Sequence, residues 1–146
     1  MKKSKYTYLK DGFEGILYDT ESEDDRLLIV IQGLKGLELP EKYAGLFAKK
    51  GYSVLAMTYY GAPGLPDTMR AIPLEMFQTA VDHMKEYGSG KYRRFGIYGN
   101  SKGAGMALLA ASVVPDISLV IAASTFGHIM QLSLIHISEP TRLRRI

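Results

Sequence analysis

The chain has 146 residues, 47% of them hydrophobic and 23% charged, with 18 Lys and Arg against 15 Asp and Glu. That length carries one domain, and that balance excludes a wholly disordered, fibrous or collagenous protein. There is no cysteine, so disulfide scaffolds, Cys-ligated zinc and thiol catalysis are excluded together, and the net charge of +3 is small. Met1-Lys2-Lys3-Ser4-Lys5-Tyr6 is basic but no apolar segment follows it, so it does not read as a signal peptide; a solvated end is expected. Phe13 to Asp19 alternates as a strand does. Glu21 to Arg26 is a polar turn, and Leu27-Leu28-Ile29-Val30-Ile31 is a branched apolar run suited to a strand buried on both faces. Gly33-Leu34-Lys35-Gly36 is a flexible loop. Pro40 opens a helix whose apolar face is Tyr43, Leu46 and Phe47, ending near Lys50-Gly51.

Tyr52 to Met57 is a second buried strand, and Tyr59 to Pro66 a loop rich in Gly and Pro. Pro73 to Tyr87 reads as a helix with Leu74, Phe77, Val81 and Met84 on one face. Arg94 to Tyr98 is a third core strand, Lys102 to Val113 a helix of small residues, and Ile117 to Ala123 a fourth core strand. Strands alternating with helices of about a dozen residues indicate an α/β class with a mostly parallel sheet and flanking helices. The longest mostly apolar stretch, Ile117 to Met130, contains Ser118, Ser124, Thr125 and His128, and is too short and polar to span a bilayer. Leu132 to Ile146 carries a net +2, leaving +1 for the remainder, with no basic stripe interleaved with aromatics. Neither a nucleic-acid nor a membrane partner is expected, and the expected location is cytoplasmic.

Gly99-Asn100-Ser101-Lys102-Gly103 matches G-x-S-x-G, directly after one strand and directly before a helix. That is the placement a nucleophile elbow requires. On so tight a turn, side chains two positions before and after the serine would collide with their neighbours, so Gly99 and Gly103 suit those places. Ser101 is then lifted above the strand ends, at a helix N-terminus that favours developing negative charge. The Lys102 N–H can donate to an oxyanion, and the Leu34 N–H, in the loop after the earlier strand, is the second donor. Plainer readings stand beside these: Ser101 as a helix N-cap, Gly33 and Gly36 as turn residues, and Gly99 to Gly105 as a phosphate loop of neither standard spacing. Tyr59-Tyr60 reads as packing and His83 as a surface or structural residue. No His/Asp/Glu set has metal-ligand spacing, so no metal is implied.

Further pieces are Leu46-Phe47-Ala48-Lys49-Lys50-Gly51-Tyr52, Ala56-Met57-Thr58-Tyr59-Tyr60, Leu65-Pro66 with Ile72-Pro73-Leu74-Glu75-Met76-Phe77, and Ile97-Tyr98-Gly99-Asn100-Ser101-Lys102-Gly103-Ala104. Through these the chain, from about residue 13 to about residue 126, resembles a family of α/β-hydrolase domains. It is the C-terminal family of acyl-CoA thioester hydrolases and bile acid-CoA:amino acid N-acyltransferases. The resemblance implies acyl transfer from a thioester through an acyl-enzyme, with Ser101 in the place of the family's Cys or Ser nucleophile. It implies no cofactor, and a coenzyme A thioester as substrate. The family's acid and histidine come from later strands.

A serine needs a base, and the base an orienting acid; in this fold they follow the nucleophile along the chain. After Ser101 the acids are Asp116 and Glu139 and the histidines His128 and His136. Asp116 precedes a strand, at the sheet end opposite the nucleophile. His128 follows that strand on the correct side, but comes too early for the family's base and reads as structural. Leu132 to Arg142 looks like the translation of a transposase-based sequencing adapter, which would make the His136 candidate an artefact; codons that do not spell the adapter would exclude this. The expected organisation is therefore a truncated α/β-hydrolase domain over 1–131, leaving an apolar sheet edge exposed, with a non-native tail over 132–146. The 146-residue chain alone is expected to have negligible hydrolase activity. The alternatives are a dienelactone-hydrolase-like or general carboxylesterase with the same elbow, and a non-catalytic α/β module that self-associates through its sheet edge.

Overall fold

In the computed structural model, which describes residues 1–123, the branched run lies in the middle of a six-stranded sheet. It forms strand β3 (Arg26–Ile31), flanked by β4 (Val54–Thr58) and β5 (Arg94–Asn100). Ile29, Val30 and Ile31 are wholly buried, as are Val54 to Met57 on β4, which is why these strands carry apolar residues without alternation. The remaining strands are β1 (Lys2–Tyr6), β2 (Glu14–Asp19) and β6 (Ile117–Ala123), and the sheet order is β1-β2-β4-β3-β5-β6. Strands β4, β3, β5 and β6 run parallel; at one side β2 pairs antiparallel with β4, and β1 antiparallel with β2. The architecture is thus an α/β fold with a mixed, mostly parallel sheet.

Residue parity on β3 divides the core. Leu27, Ile29 and Ile31 face a layer built from helices α3 (Glu75–Glu86) and α4 (Lys102–Val113), with Phe77, Val81, Met84, Met106 and Ala110 among its buried side chains. Val30, with Val54 and Ala56, faces helix α2 (Glu38–Lys49). The helix and strand at Lys102–Val113 and Ile117–Ala123 have the bounds read from the sequence, though of that strand, expected in the core, only Ile117 is buried; the other elements read from the sequence differ by one or two residues at their ends.

One expectation is extended and one corrected. The lysines of Lys2 to Tyr6 are exposed, as a solvated end requires, but the segment is a strand: it pairs antiparallel with β2, and Tyr6 stacks on Phe13 at 5.0 Å. Its lysines suit an edge strand, where charge discourages further pairing. A single helical turn, α1 (Tyr8–Asp11), then leads into β2. On α2, Leu46 is exposed rather than core-facing; the buried residues are Pro40, Ala44 and Ala48. Small side chains four apart let the helix lie close to the sheet, while Tyr43 and Phe47 flank the contact and pack on the Tyr98 ring. The boundary expected at residue 131 and the tail 132–146 lie outside the described residues.

Candidate functional site

Parallel strands bring their C-terminal ends to one rim of the sheet. Ile31 on β3 is level with Gly99 on β5, and Asn100 with Ala123 on β6. The loop after β3, the turn after β5 and the tip of β6 therefore meet there, at the edge where ligands of open α/β sheets bind.

Between β5 and α4 the chain reverses through one residue. Ser101 has φ +58° and ψ −121°, a region in which non-glycine residues are strained, and lies outside the helix it precedes. Its N–H donates to the Ala123 carbonyl at 2.9 Å, and its carbonyl accepts the Ala104 N–H at 3.0 Å. Its side chain makes no capping hydrogen bond to α4, and the residue is exposed. Both flanking glycines are sterically required. A Cβ on Gly99 would stand 2.1 Å from the Gly103 carbonyl oxygen, and one on Gly103 would stand 2.9 Å from the Gln32 carbonyl carbon. The turn is closed against itself on one side and against the end of β3 on the other.

The loop Gly33–Gly36 sits against the first turn of α4. A Cβ on Gly33 would lie 2.8 Å from the Lys102 Cβ and 3.4 Å from the Lys102 nitrogen. Among the described residues, neither the Leu34 N–H nor the Lys102 N–H has a hydrogen-bond acceptor. Among the described residues, then, one main-chain N–H of the Gly33–Gly36 loop and the first N–H of α4 are without an acceptor, the second at the positive end of the helix.

Tyr60 was missed as a site residue. Tyr59 is buried in the core, as packing predicts, but the Tyr60 hydroxyl donates to the Gly33 carbonyl at 2.7 Å. Gln32 was missed too: it is buried, borders Gly103, and its Nε2 has no partner among the described residues. Neither carries a local sequence pattern; the only signal was that each follows a strand ending on this rim.

The remaining candidates are elsewhere. Asp116 lies at the opposite end of the sheet, just before β6, where Lys85 binds its carboxylate at 2.6 Å and Gln78 at 3.3 Å. The Lys85 hydrogen bond, then that of Gln78, hold its pKa below the ordinary carboxylate value. His83, on α3, meets the rings of Tyr6 and Phe13 edge-on at 5.0 and 5.5 Å, beside β1 and β2. His128, His136 and Glu139 lie outside the described residues. Among the described residues no three His, Asp or Glu side chains are grouped to hold a metal ion, and no helix is long and apolar enough to cross a membrane.

No family model matches the chain. Over 83 residues, 57% of this chain and 20% of the other, it is 35% identical to acyl-coenzyme A thioesterase 1 of Rattus norvegicus. Its fold is similar to that of an esterase of Pyrococcus furiosus, with a TM-score of 0.66 and 22% identity over 85% of this chain and 49% of the other. It is also similar to an α/β hydrolase of a Penicillium species, with a TM-score of 0.63 and 18% identity over 84% of this chain and 44% of the other. The match spans about a fifth of the curated relative's length and about half of the solved structures'. By sequence the chain is a distant, partial match to acyl-CoA thioesterases, carried on the fold of the α/β-hydrolases.

Proposed function

We propose that the chain carries the nucleophile half of a serine acyl-transfer site whose substrates are acyl thioesters of coenzyme A. The observation that carries this reading is the conformation of Ser101: a strained φ of +58°, off the helix, at the rim where the Gly33–Gly36 loop and α4 meet. The likeness to acyl-coenzyme A thioesterase 1 supports the thioester class.

In this reading the Ser101 Oγ attacks the acyl carbonyl carbon. The carbonyl π electrons move onto oxygen, and the resulting oxyanion takes hydrogen bonds from the Leu34 and Lys102 N–H groups. Collapse of the tetrahedral intermediate breaks the carbon–sulfur bond and leaves an acyl group on Ser101; water, or an amine acceptor, then removes it. Gly99 and Gly103 serve by admitting the turn. The proton from Ser101 must pass to a histidine held by an acid, and among the described residues neither stands beside Ser101. Without such a pair at Ser101, thioester hydrolysis would not exceed a background rate.

The test is covalent labelling of the full-length protein with a fluorophosphonate probe, beside Ser101→Ala. Labelling that disappears in the variant is expected; labelling indifferent to residue 101 would exclude the reading. Comparing an acyl-CoA with an oxygen ester of the same acyl chain then separates a thioesterase from a general carboxylesterase.

A further inference from the structure

We infer that Tyr60 is a positioning residue of this site, holding the Gly33–Leu34 peptide in the orientation that turns the Leu34 N–H toward the oxyanion. The inference rests on the proposed role of Ser101 and extends it to a residue that touches no reacting atom.

The Gly33 carbonyl and the Leu34 N–H belong to one planar trans peptide unit, and point in opposite directions across its C–N bond. The Tyr60 hydroxyl donates to that carbonyl at 2.7 Å. Fixing the oxygen fixes the N–H, and donation to the carbonyl polarises the peptide and strengthens its N–H as a donor. The need for a clamp follows from the sequence. A peptide preceded by glycine can rotate end for end at little steric cost, and close approach to Lys102 requires glycine at 33.

Tyr60 grips the far end of the loop as well. Its own carbonyl accepts the Gly36 N–H at 3.3 Å and the Thr58 hydroxyl at 3.0 Å. The next residue, Gly61, lies so close that a Cβ there would stand 2.4 Å from the Lys35 Cβ. One residue from the β4 loop thus meets the Gly33–Gly36 loop at both ends, with its neighbour against the middle. Burial raises the Tyr60 pKa above its ordinary value, so the hydroxyl remains a donor at any neutral pH.

Tyr60→Phe removes one oxygen and keeps the ring that lies 5.4 Å from that of Tyr59. Tyr59→Phe is the control, because the Tyr59 hydroxyl is buried without a partner among the described residues. In the full-length protein, Tyr60→Phe is expected to slow Ser101 labelling by the fluorophosphonate, and to lower kcat for an acyl-CoA, by about 10- to 100-fold. That lies below or at the low end of the loss of a whole oxyanion donor. KM stays within about twofold, since binding before the oxyanion forms is unaffected. Tyr59→Phe should label at the unsubstituted rate. Thermal midpoints of both variants, read alongside, exclude unfolding as the cause. If Tyr60→Phe labels as fast as Tyr59→Phe, or if its loss appears in KM rather than kcat, the inference is wrong while the nucleophile reading stands. If the unsubstituted protein shows no Ser101-dependent labelling, both fall.

Discussion

At position 101 a serine occupies backbone space that glycine enters freely, with φ at +58°. The surrounding bonds and the two close-packed glycines hold it there, at a cost of about 1 kcal/mol or more for a residue with a Cβ. Ser101→Gly should therefore raise the thermal midpoint by a few degrees while abolishing fluorophosphonate labelling. Calorimetry and labelling on the same preparation check it; a lowered midpoint would mean the backbone is not strained. This turn was legible because its pattern is local, two glycines bracketing a serine between a strand and a helix, although the contact that demands Gly103 comes from Gln32 beside the end of β3. Tyr60 was illegible for the opposite reason. Its hydroxyl reaches a carbonyl 27 residues earlier, and no spacing rule encodes such a bond.

Among elements, the parallel strands could be read from unbroken branched runs, since burial on both faces removes the need to alternate. Which face of α2 meets the sheet could not. Leu46 has the hydrophobicity of a core residue, yet Ala44 and Ala48 occupy the contact because the distance between helix and sheet there admits only small side chains. The first strand was hidden because its pairing is through main-chain groups and its lysines describe only its solvent side. At the far end of β2, buried Asp19 accepts hydrogen bonds from the Tyr92 hydroxyl at 2.9 Å, the Tyr87 hydroxyl at 3.1 Å and the Glu21 N–H at 2.9 Å, and is paired with Lys91. Burial alone would raise its pKa. The bonds from Lys91, Glu21, Tyr92 and Tyr87 outweigh that and hold it below the ordinary value. A carboxyl so lowered contributes stability that is complete above its unfolded pKa of roughly 3.9 and is lost as pH falls through the lower folded value. Asp19→Asn should destabilise by about 3 kcal/mol at neutral pH, leaving Lys91 without its counter-charge, and the deficit should shrink in acid. Urea unfolding at pH 7 and at pH 3 measures it; an equal deficit at both would show that packing, not charge, is responsible.

For the molecule as a whole, the described sheet has unequal margins. One is edged by the lysines of β1; the other, β6, presents Leu119 and Ile121, which with Leu28, Phe47 and Tyr52 line an apolar groove rimmed by Arg26 and Arg94. An apolar strand face of this kind favours association between copies of the chain. Leu119→Glu, which sets a carboxylate beside those arginines, is expected to raise the soluble fraction of the 146-residue chain, with a thermal midpoint within about 2 °C of the unsubstituted value. Light scattering against concentration tests this; an unchanged scattering curve would place the adhesive surface elsewhere.

The bond from the Ser101 amide to the tip of β6 has a consequence for the order of events at the ribosome. The Ser101 turn is made before the strand that anchors it, so a nascent chain ending within α4 would carry the serine on an untethered bend. Only when Ala123 has been synthesised and seated does that posture become permanent. The order in which the two segments leave the ribosome thus sets when the turn is anchored.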